Sequence, residues 1–322
     1  MTEFSAQTDP IERVEAALGA ELARGDSMLG SIPPLLRHLL VNDDHSVFGD
    51  EIIARVRGML ADLATQLLED LRGTNEEEPQ KPPCGDEHAE LARMLVDIRG
   101  LVTHLHALAL EWQLTERLHA RLGLDPVLSP LMQALVASSD PGTSGTAMNL
   151  LAAQSRFVQS QRRMQLPLTE LPGDLLHGAL LAMRMHAGVE PDVDDAAQAA
   201  ETAIRARYDE SRCRLGLIAR MITGMGGGAV AALSLSHAGV ALFISALSIA
   251  AGQDRDLAVL STNEGQIGRF ALALRAAGLK TRDVEEQFLV LHPEVTLPEG
   301  FDRLAADRAA AILSVSGSCL GA

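Results

Sequence analysis

The stretch GMGGGAVAALSLSHAGVALFISALSIAAGQ, residues 224–253, contains no Asp, Glu, Lys or Arg. From its second glycine onward, a glycine recurs at every thirteenth position, and a glycine after a helical run typically ends the helix. We therefore expect short helices joined by tight turns, each too short to cross a hydrocarbon layer of about 30 Å. This spacing predicts a tightly packed apolar core within residues 224–292. The periodic glycines are Gly226, Gly239, Gly252, Gly265 and Gly278.

The same stretch allows two other interpretations. Residues 230–251 have a hydropathy that is borderline for a membrane anchor, and Arg220 precedes them as a cytoplasmic flank would. The G-x-G-x-x-A pattern at residues 224–229 would hold a dinucleotide only after a strand and with an acidic residue about twenty positions later. Because both supports are missing, we expect no cofactor here, whereas membrane association stays as an alternative.

The composition favours helix throughout the chain. Of the 322 residues, 47% are hydrophobic but only 3% are aromatic, and Leu and Ala dominate. Few β-branched or aromatic runs are left for strands. The segments AAGQDRDL and AAGLKTRDV, which begin at Ala250 and Ala276, resemble each other, as in helical repeats. We predict an all-α fold, a multi-helix array or orthogonal bundle, with short helical-repeat-like hairpins in the C-terminal half.

The charge and the cysteines limit the partners and the compartment. A net charge of -16 repels phosphate backbones, so we expect no nucleic-acid binding. Cys84, Cys213 and Cys319 are widely spaced and odd in number, which is typical of reduced thiols. The acidic start of the chain lacks the basic and apolar regions of a signal peptide. We expect a cytoplasmic protein.

Helix signals and a change in composition predict three units. Residues 1–72 form a small N-terminal helical unit, whose first helix starts at Asp9 and stops at Gly25. Residues 73–87 are acidic and proline-rich and form a flexible linker. Residues 88–322 form the main helical domain.

Apolar residues spaced three and four apart predict one long helix from about Asp86 to Leu122. Such a heptad pattern is typical of a core helix or of a dimerising helix, so a homodimer through residues 88–122 is possible. The apolar positions are Leu91, Met94, Ile98, Leu101, Leu105, Leu108 and Trp112.

Later helices are predicted from their caps. Asp125 and Asp140, each followed by proline, are expected to begin helices. The next helix ends at Gly188. A long helix begins near Asp192 and continues to residue 222.

Residues 150–183 and 241–279 resemble the C-terminal part of an alphaproteobacterial family of helical, HEAT-like proteins that is known only as a domain of unknown function. The resemblance extends over about residues 150–293 and implies a helical scaffold without an assigned activity. The residues that carry it are Phe243, Gly252, Ala276, Ala277, Gly278 and Leu279.

Several patterns are candidates for reactive or metal sites. Glu116 and His119 have the Glu-x-x-His spacing of a di-iron bundle, with His104 and His106 on the same helix, but DLLH at residues 174–177 is the nearest second copy. We therefore expect these four residues to lie on a solvated helix face. His88 is similar in setting to the phosphoaccepting histidine of a kinase dimerisation helix, and we expect it to be exposed.

Three polar patterns have simpler interpretations. GTSGT at residues 142–146 departs from the G-x-S-x-G nucleophile pattern, and we expect a polar loop. DVDD at residues 192–195 suits a helix start. Arg156, Arg162 and Arg163 form a basic patch that could bind an acidic partner.

Together, these patterns assign no catalytic, cofactor-binding or metal residue. We predict a non-enzymatic helical scaffold that binds a protein partner. The alternatives are a histidine phosphotransfer protein or other enzyme, and a membrane-associated protein anchored through residues 230–251.

Overall fold

The computed structural model describes residues 10–41, 51–73, 85–188 and 191–317. Within these ranges the chain is all-α and contains no strand, which confirms the predicted fold class. Five short 3-10 helices lie between the α-helices, at Leu168–Glu170, Glu210–Arg212, Gly226–Leu233, Glu264–Gln266 and Phe301–Arg303. The α-helices are α1 (Pro10–Val41), α2 (Glu51–Arg72), α3 (Gly85–Val96), α4 (Leu101–Leu122), α5 (Pro130–Val136), α6 (Pro141–Arg162), α7 (Gly173–Ala187), α8 (Pro191–Arg207), α9 (Arg214–Gly224), α10 (Leu235–Ala238), α11 (Val240–Ala251), α12 (Arg255–Leu260), α13 (Ile267–Ala276), α14 (Thr281–Leu291) and α15 (Ala306–Gly317).

Two apolar clusters form the interior, and α4 takes part in both. Leu101 and Leu105, near the start of α4, pack with α2, α3, α7 and α8. Leu114 and Leu118, near its end, pack with α1, α5, α6 and the helices from α9 onward. A single helix therefore supplies side chains to both clusters.

From Leu235 onward, the uncharged stretch forms the predicted short helices α10 and α11 in the second cluster. The core predicted within residues 224–292 does not include residues 226–231, which belong to a 3-10 helix and are mostly exposed, with Val230 at 68%. The side chains of Phe243 and Leu247 on α11 are fully buried, and the ring of Phe243 lies edge-on to that of Phe270 on α13, 6.3 Å between centroids. Gly239 ends α10 and Gly252 ends α11, both with positive φ. Gly278 also has a positive φ, just after α13.

One of the periodic glycines was misinterpreted. Gly265 does not end a helix, because it lies inside the 3-10 turn Glu264–Gln266. A side chain there would approach Met28 of α1, whose Cε would be 3.0 Å from the added Cβ. Close packing on α1 therefore explains this glycine.

No single helix within the described ranges is both long and apolar enough to cross a membrane. One pair of helices, Arg214–Gly224 with Gly226–Leu233, meets the length and composition criteria together, and the two are bent by 118° to each other.

The predicted stop at Gly25 is wrong, because α1 continues through it to Val41. Gly25 is small for a different reason. The side-chain amide of Gln266 donates a 2.8 Å hydrogen bond to the Gly25 carbonyl oxygen. A Cβ on residue 25 would lie 2.6 Å from the Oε1 of Gln266, so a larger residue does not fit there. The predicted cap, Asp9, lies outside the described residues.

The single long helix from Asp86 to Leu122 is also wrong. The helix is interrupted between α3 and α4, where Gly100 adopts a left-handed φ of 82°. Most of the heptad residues nevertheless face the interior of their own chain, and Trp112 is 4% exposed. A homodimer through residues 88–122 stays a prediction.

Two further helix boundaries differ from the prediction. Asp125 caps a turn, with its carboxylate accepting from the backbone N–H groups of Val127 and Leu128, and the helix begins only after Ser129. The long helix from Asp192 is divided into α8 and α9 by a 3-10 turn. The predicted start at Asp140 and the predicted end at Gly188 are confirmed.

The predicted N-terminal unit makes extensive contacts with the C-terminal helices. Arg269 of α13 is fully buried, and its guanidinium is paired with Asp26 of α1 and hydrogen-bonded to Ser316 of α15. The predicted linker contains the first turn of α3, and residues 74–84 lie outside the described part. The division into a unit at 1–72 and a domain at 88–322 stays a prediction.

Candidate functional site

A buried ion cluster joins four helices around the middle of α4. The carboxylate of Glu111 accepts two hydrogen bonds from Arg214 of α9, at 2.7 and 3.1 Å, and lies 3.0 Å from a guanidinium nitrogen of Arg255 on α12. Glu111 and Arg214 are each 1% exposed. The Arg214 guanidinium stacks on Phe157 of α6, 3.6 Å from the ring centroid. The cluster therefore fixes the relative positions of α4, α6, α9 and α12.

Glu111 remains ionised although it is buried. Burial alone would raise its pKa, but the charges and hydrogen bonds of Arg214 and Arg255 outweigh burial and lower the pKa to about 2. A negative charge between two cations is favoured over the neutral acid. Removing that charge would leave two buried guanidinium groups facing each other.

The lowered pKa predicts an acid-dependent loss of stability. The stabilisation from ionised Glu111 is fully present above the ordinary pKa of 4.5 and is lost as the pH falls through about 2. We expect the urea midpoint of the wild type to exceed that of Glu111→Gln by a constant amount above about pH 5 and by a shrinking amount below about pH 4. A midpoint difference that stays constant down to pH 2 would contradict this assignment.

A pocket of about 290 Å³ lies beside the cluster, between α9, α11 and the 3-10 turns at residues 168–170 and 210–212. Its mouth is formed by Leu215, Ala219 and Ile249, of which Ile249 is 48% exposed. Arg255 forms part of the wall, and both of its terminal guanidinium nitrogens are buried. The volume is near the low end of the roughly 300–1,000 Å³ that ligand pockets occupy.

Two carboxylates line the pocket. Glu170 accepts a 2.8 Å hydrogen bond from the backbone N–H of Arg214. Burial raises the pKa of Glu170, against this hydrogen bond and the charges of Arg214 and Arg156. Glu210 is exposed at the mouth. Within the described ranges, neither carboxylate has a salt-bridge partner.

Cys213, also in the pocket wall, is not an activated nucleophile. Burial raises the pKa of its thiol, and the nearby Glu170 and Glu210 act in the same direction. Its Sγ accepts a 3.3 Å hydrogen bond from the backbone N–H of Gly216. A thiol that stays protonated near carboxylates reacts poorly, so the pocket is suited to binding rather than to cysteine chemistry. Cys84 and Cys319 lie outside the described residues.

The residues tested as a metal site are separated in the structure. His104 was expected on a solvated face, but it is 3% exposed, and its Nδ1 lies 2.9 Å from the carboxylate of Asp256. Glu116 and His119 are exposed as expected, whereas His106 is half-buried. In the part of the chain that the structure describes, no three His, Cys, Asp or Glu side chains are grouped so that they could hold a metal ion.

His88 is half-buried rather than exposed. Its Nε2 lies 2.8 Å from the hydroxyl of Thr65 and 2.8 Å from the carbonyl oxygen of Ala61, both on α2. Phosphorylation at this nitrogen would break both contacts, since the nitrogen is already engaged.

The remaining patterns serve local structure. GTSGT is not a loop, because it lies in the first turns of α6, where Asp140 accepts a 2.7 Å hydrogen bond from the backbone N–H of Thr143. Asp194 of DVDD pairs with Arg184 of α7 at 3.1 Å. The basic patch is exposed along α6 and just after it, and it consists of Arg156, Arg162 and Arg163.

The sequence patterns did not predict the ion cluster or the pocket. One signal was available: Glu111 is the only charged residue in the run LVTHLHALALEWQL, residues 101–114, and it lies next to the apolar seam. A lone charge on a buried helix face indicates a buried partner. Its partners, however, are more than one hundred positions away.

Fold and site together define an all-α helical protein with an open surface pocket next to a buried ion cluster. Comparisons of the chain with protein-family models, with curated proteins and with solved structures find no match in any of the three. The resemblance of residues 150–293 to the HEAT-like family stays an expectation.

Proposed function

We propose that the protein is a non-enzymatic helical scaffold of the cytoplasm that binds a protein partner, and that the pocket beside Arg255 receives a side chain of this partner. The observation that carries the proposal is the open pocket of about 290 Å³ with the half-exposed Ile249 at its mouth. A cavity that accepts one anchoring side chain, next to exposed apolar surface, is a common arrangement at protein interfaces.

The rigidity of the pocket supports this function. Its wall includes Arg255, which the cluster fixes against Glu111, and Ser245, whose hydroxyl accepts a 2.8 Å hydrogen bond from the Arg255 Nε. A preformed pocket loses little conformational entropy when a partner binds. The polar groups tested for chemistry, by contrast, are used in helix packing, as for His88 and His104.

Blocking the pocket should abolish partner binding. Ala219 is exposed and small, so Ala219→Trp places an indole at the mouth with little effect on the core. We expect a protein that is retained from the native lysate by the wild type to be lost, at least about tenfold in yield, with this variant. Affinity capture with quantitative mass spectrometry measures the loss.

The matched control is Ala310→Trp, on an exposed position of α15 that does not line the pocket. It should retain the same protein as the wild type. If Ala219→Trp and Ala310→Trp retain the same set of proteins in the same amounts, this pocket is not the docking point and the proposal fails.

A further inference from the structure

The pocket offers hydrogen-bond acceptors on nearly every polar group that faces it. The hydroxyl of Ser245 donates to the carbonyl oxygen of Ala241, and the hydroxyl of Ser248 donates to that of Gln253. Because both protons are committed to the backbone, only lone pairs remain for a ligand. The oxygens of Glu170 and Glu210 add further acceptors.

The one cation in the wall is not offered to a ligand. Arg255 donates through Nε to Ser245, and both of its terminal nitrogens are buried: Nη2 lies 3.0 Å from Glu111, whereas Nη1 has no hydrogen-bond partner among the described residues. Its guanidinium shares the single carboxylate of Glu111 with Arg214. An anionic ligand would therefore meet two carboxylates, while the buried guanidinium nitrogens of Arg255 are not accessible to it. Such an arrangement is unfavourable for an anion.

Neither Glu170 nor Glu210 has a salt-bridge partner among the described residues. Glu170 is half-buried, and burial raises its pKa although the hydrogen bond from Arg214 and the charges of Arg214 and Arg156 act against this. A buried carboxylate is stabilised by a positive charge within about 4–6 Å. The whole chain carries a net charge of -16, which attracts cationic partners over longer distances.

The apolar part of the lining matches a flexible aliphatic stem. Leu215 and Ala219 of α9 and Ile249 of α11 form this part, whereas the carboxylates belong to the 3-10 turns at residues 168–170 and 210–212. Lysine and arginine side chains combine an apolar stem with a charged, donor-rich end. A free amine would leave the half-exposed Ile249 uncovered, but the backbone of a partner protein would cover it.

Resting on the proposed scaffold function, we infer that the pocket binds a lysine or arginine side chain of the partner protein. The cationic end hydrogen-bonds to Glu170 and Glu210, the serine oxygens accept further bonds, and the stem packs on Leu215 and Ile249.

Capped pentapeptides with a single central side chain test this assignment on the full chain. The central residue is lysine, arginine, norleucine or glutamate, the other positions are glycine, and n-pentylamine serves as the free-amine probe. Titrations by saturation-transfer NMR give each affinity. We expect the lysine and arginine peptides to bind at least about tenfold more tightly than norleucine, a difference of about 1.4 kcal/mol, and the glutamate peptide to bind most weakly.

Conservative variants test the two carboxylates. Glu170→Gln keeps an oxygen that can accept from the Arg214 N–H, so the fold is retained. Glu170→Gln and Glu210→Gln should each lower the affinity for the lysine peptide by about threefold to tenfold. The affinity for the norleucine peptide should stay unchanged. The control Glu285→Gln, on the exposed face of α14, should change neither.

Four outcomes overturn the inference. They are equal binding of lysine and norleucine, preference for glutamate, tighter binding of n-pentylamine than of the lysine peptide, and no binding of either cationic peptide. If the cationic peptides fail while Ala219→Trp still abolishes partner capture, only the cationic anchor is wrong. If the peptides bind but Ala219→Trp leaves capture unchanged, the partner function is wrong.

Discussion

Replacing Glu111 by glutamine is expected to lower the free energy of unfolding by about 3–5 kcal/mol. The carboxylate is 1% exposed and compensates Arg214 and Arg255 together. Glutamine fills the same volume but carries no charge, so two guanidinium groups remain buried without an anion between them. The two guanidinium groups have then lost their hydration without gaining an anion in return, which lowers the free energy of unfolding. Urea unfolding at pH 7, followed by circular dichroism, measures it.

Glu116→Gln is the matched control, because Glu116 lies on the same helix but is exposed. It should change the free energy of unfolding by less than about 0.5 kcal/mol. If Glu111→Gln and Glu116→Gln have similar effects, the buried cluster does not stabilise the fold as described.

Gly216→Ala is expected to destabilise the protein by about 1–3 kcal/mol, although alanine is the better helix former. Gly216 lies in the first turn of α9, and a Cβ there would be 2.2 Å from the backbone carbonyl oxygen of Glu210. A backbone atom cannot move aside as the end of a side chain can. The 3-10 turn at residues 210–212, which forms one wall of the pocket, must therefore shift.

Gly145→Ala is expected to have the opposite effect on the stability of the protein. Gly145 is also helical, on α6, but nothing lies within 4 Å of its added Cβ. This substitution should stabilise the protein by about 0.5–1 kcal/mol through the lower backbone entropy of the unfolded chain. Thermal and urea midpoints of both variants give the comparison. A stabilising Gly216→Ala would mean that α9 does not pack against the turn as closely as described.

Helix ends were predicted correctly where the signal is local. Asp140 caps α6, and Gly188, Gly239 and Gly252 follow the ends of their helices. A cap is a contact between residues three or four positions apart, so the sequence pattern contains the whole interaction. For the same reason, the all-α class could be predicted from composition and spacing.

Helix continuity was predicted less well. The spacing predicts a helix stop at Gly25, whereas α1 passes through it. Its small size accommodates Gln266, which is distant in sequence. Conversely, the helix is interrupted near Gly100, although the apolar spacing continues on both sides of this glycine. A glycine that bends the chain and one that admits a neighbour look alike in a sequence, because only the packed structure supplies the neighbour.

The sequence by itself determined the helical class, several helix ends and the burial of most of α11 in the uncharged stretch. These depend on backbone preference and on hydrophobicity, which act at each residue or within one turn. Only the tertiary structure decided the ion cluster and the pocket on which the proposed function rests. Glu111 and Arg214 are 103 positions apart, and the pocket forms where α9, α11 and two 3-10 turns meet. The physical reason is that ion pairs and cavities depend on the distances between helices, and no local pattern contains those distances.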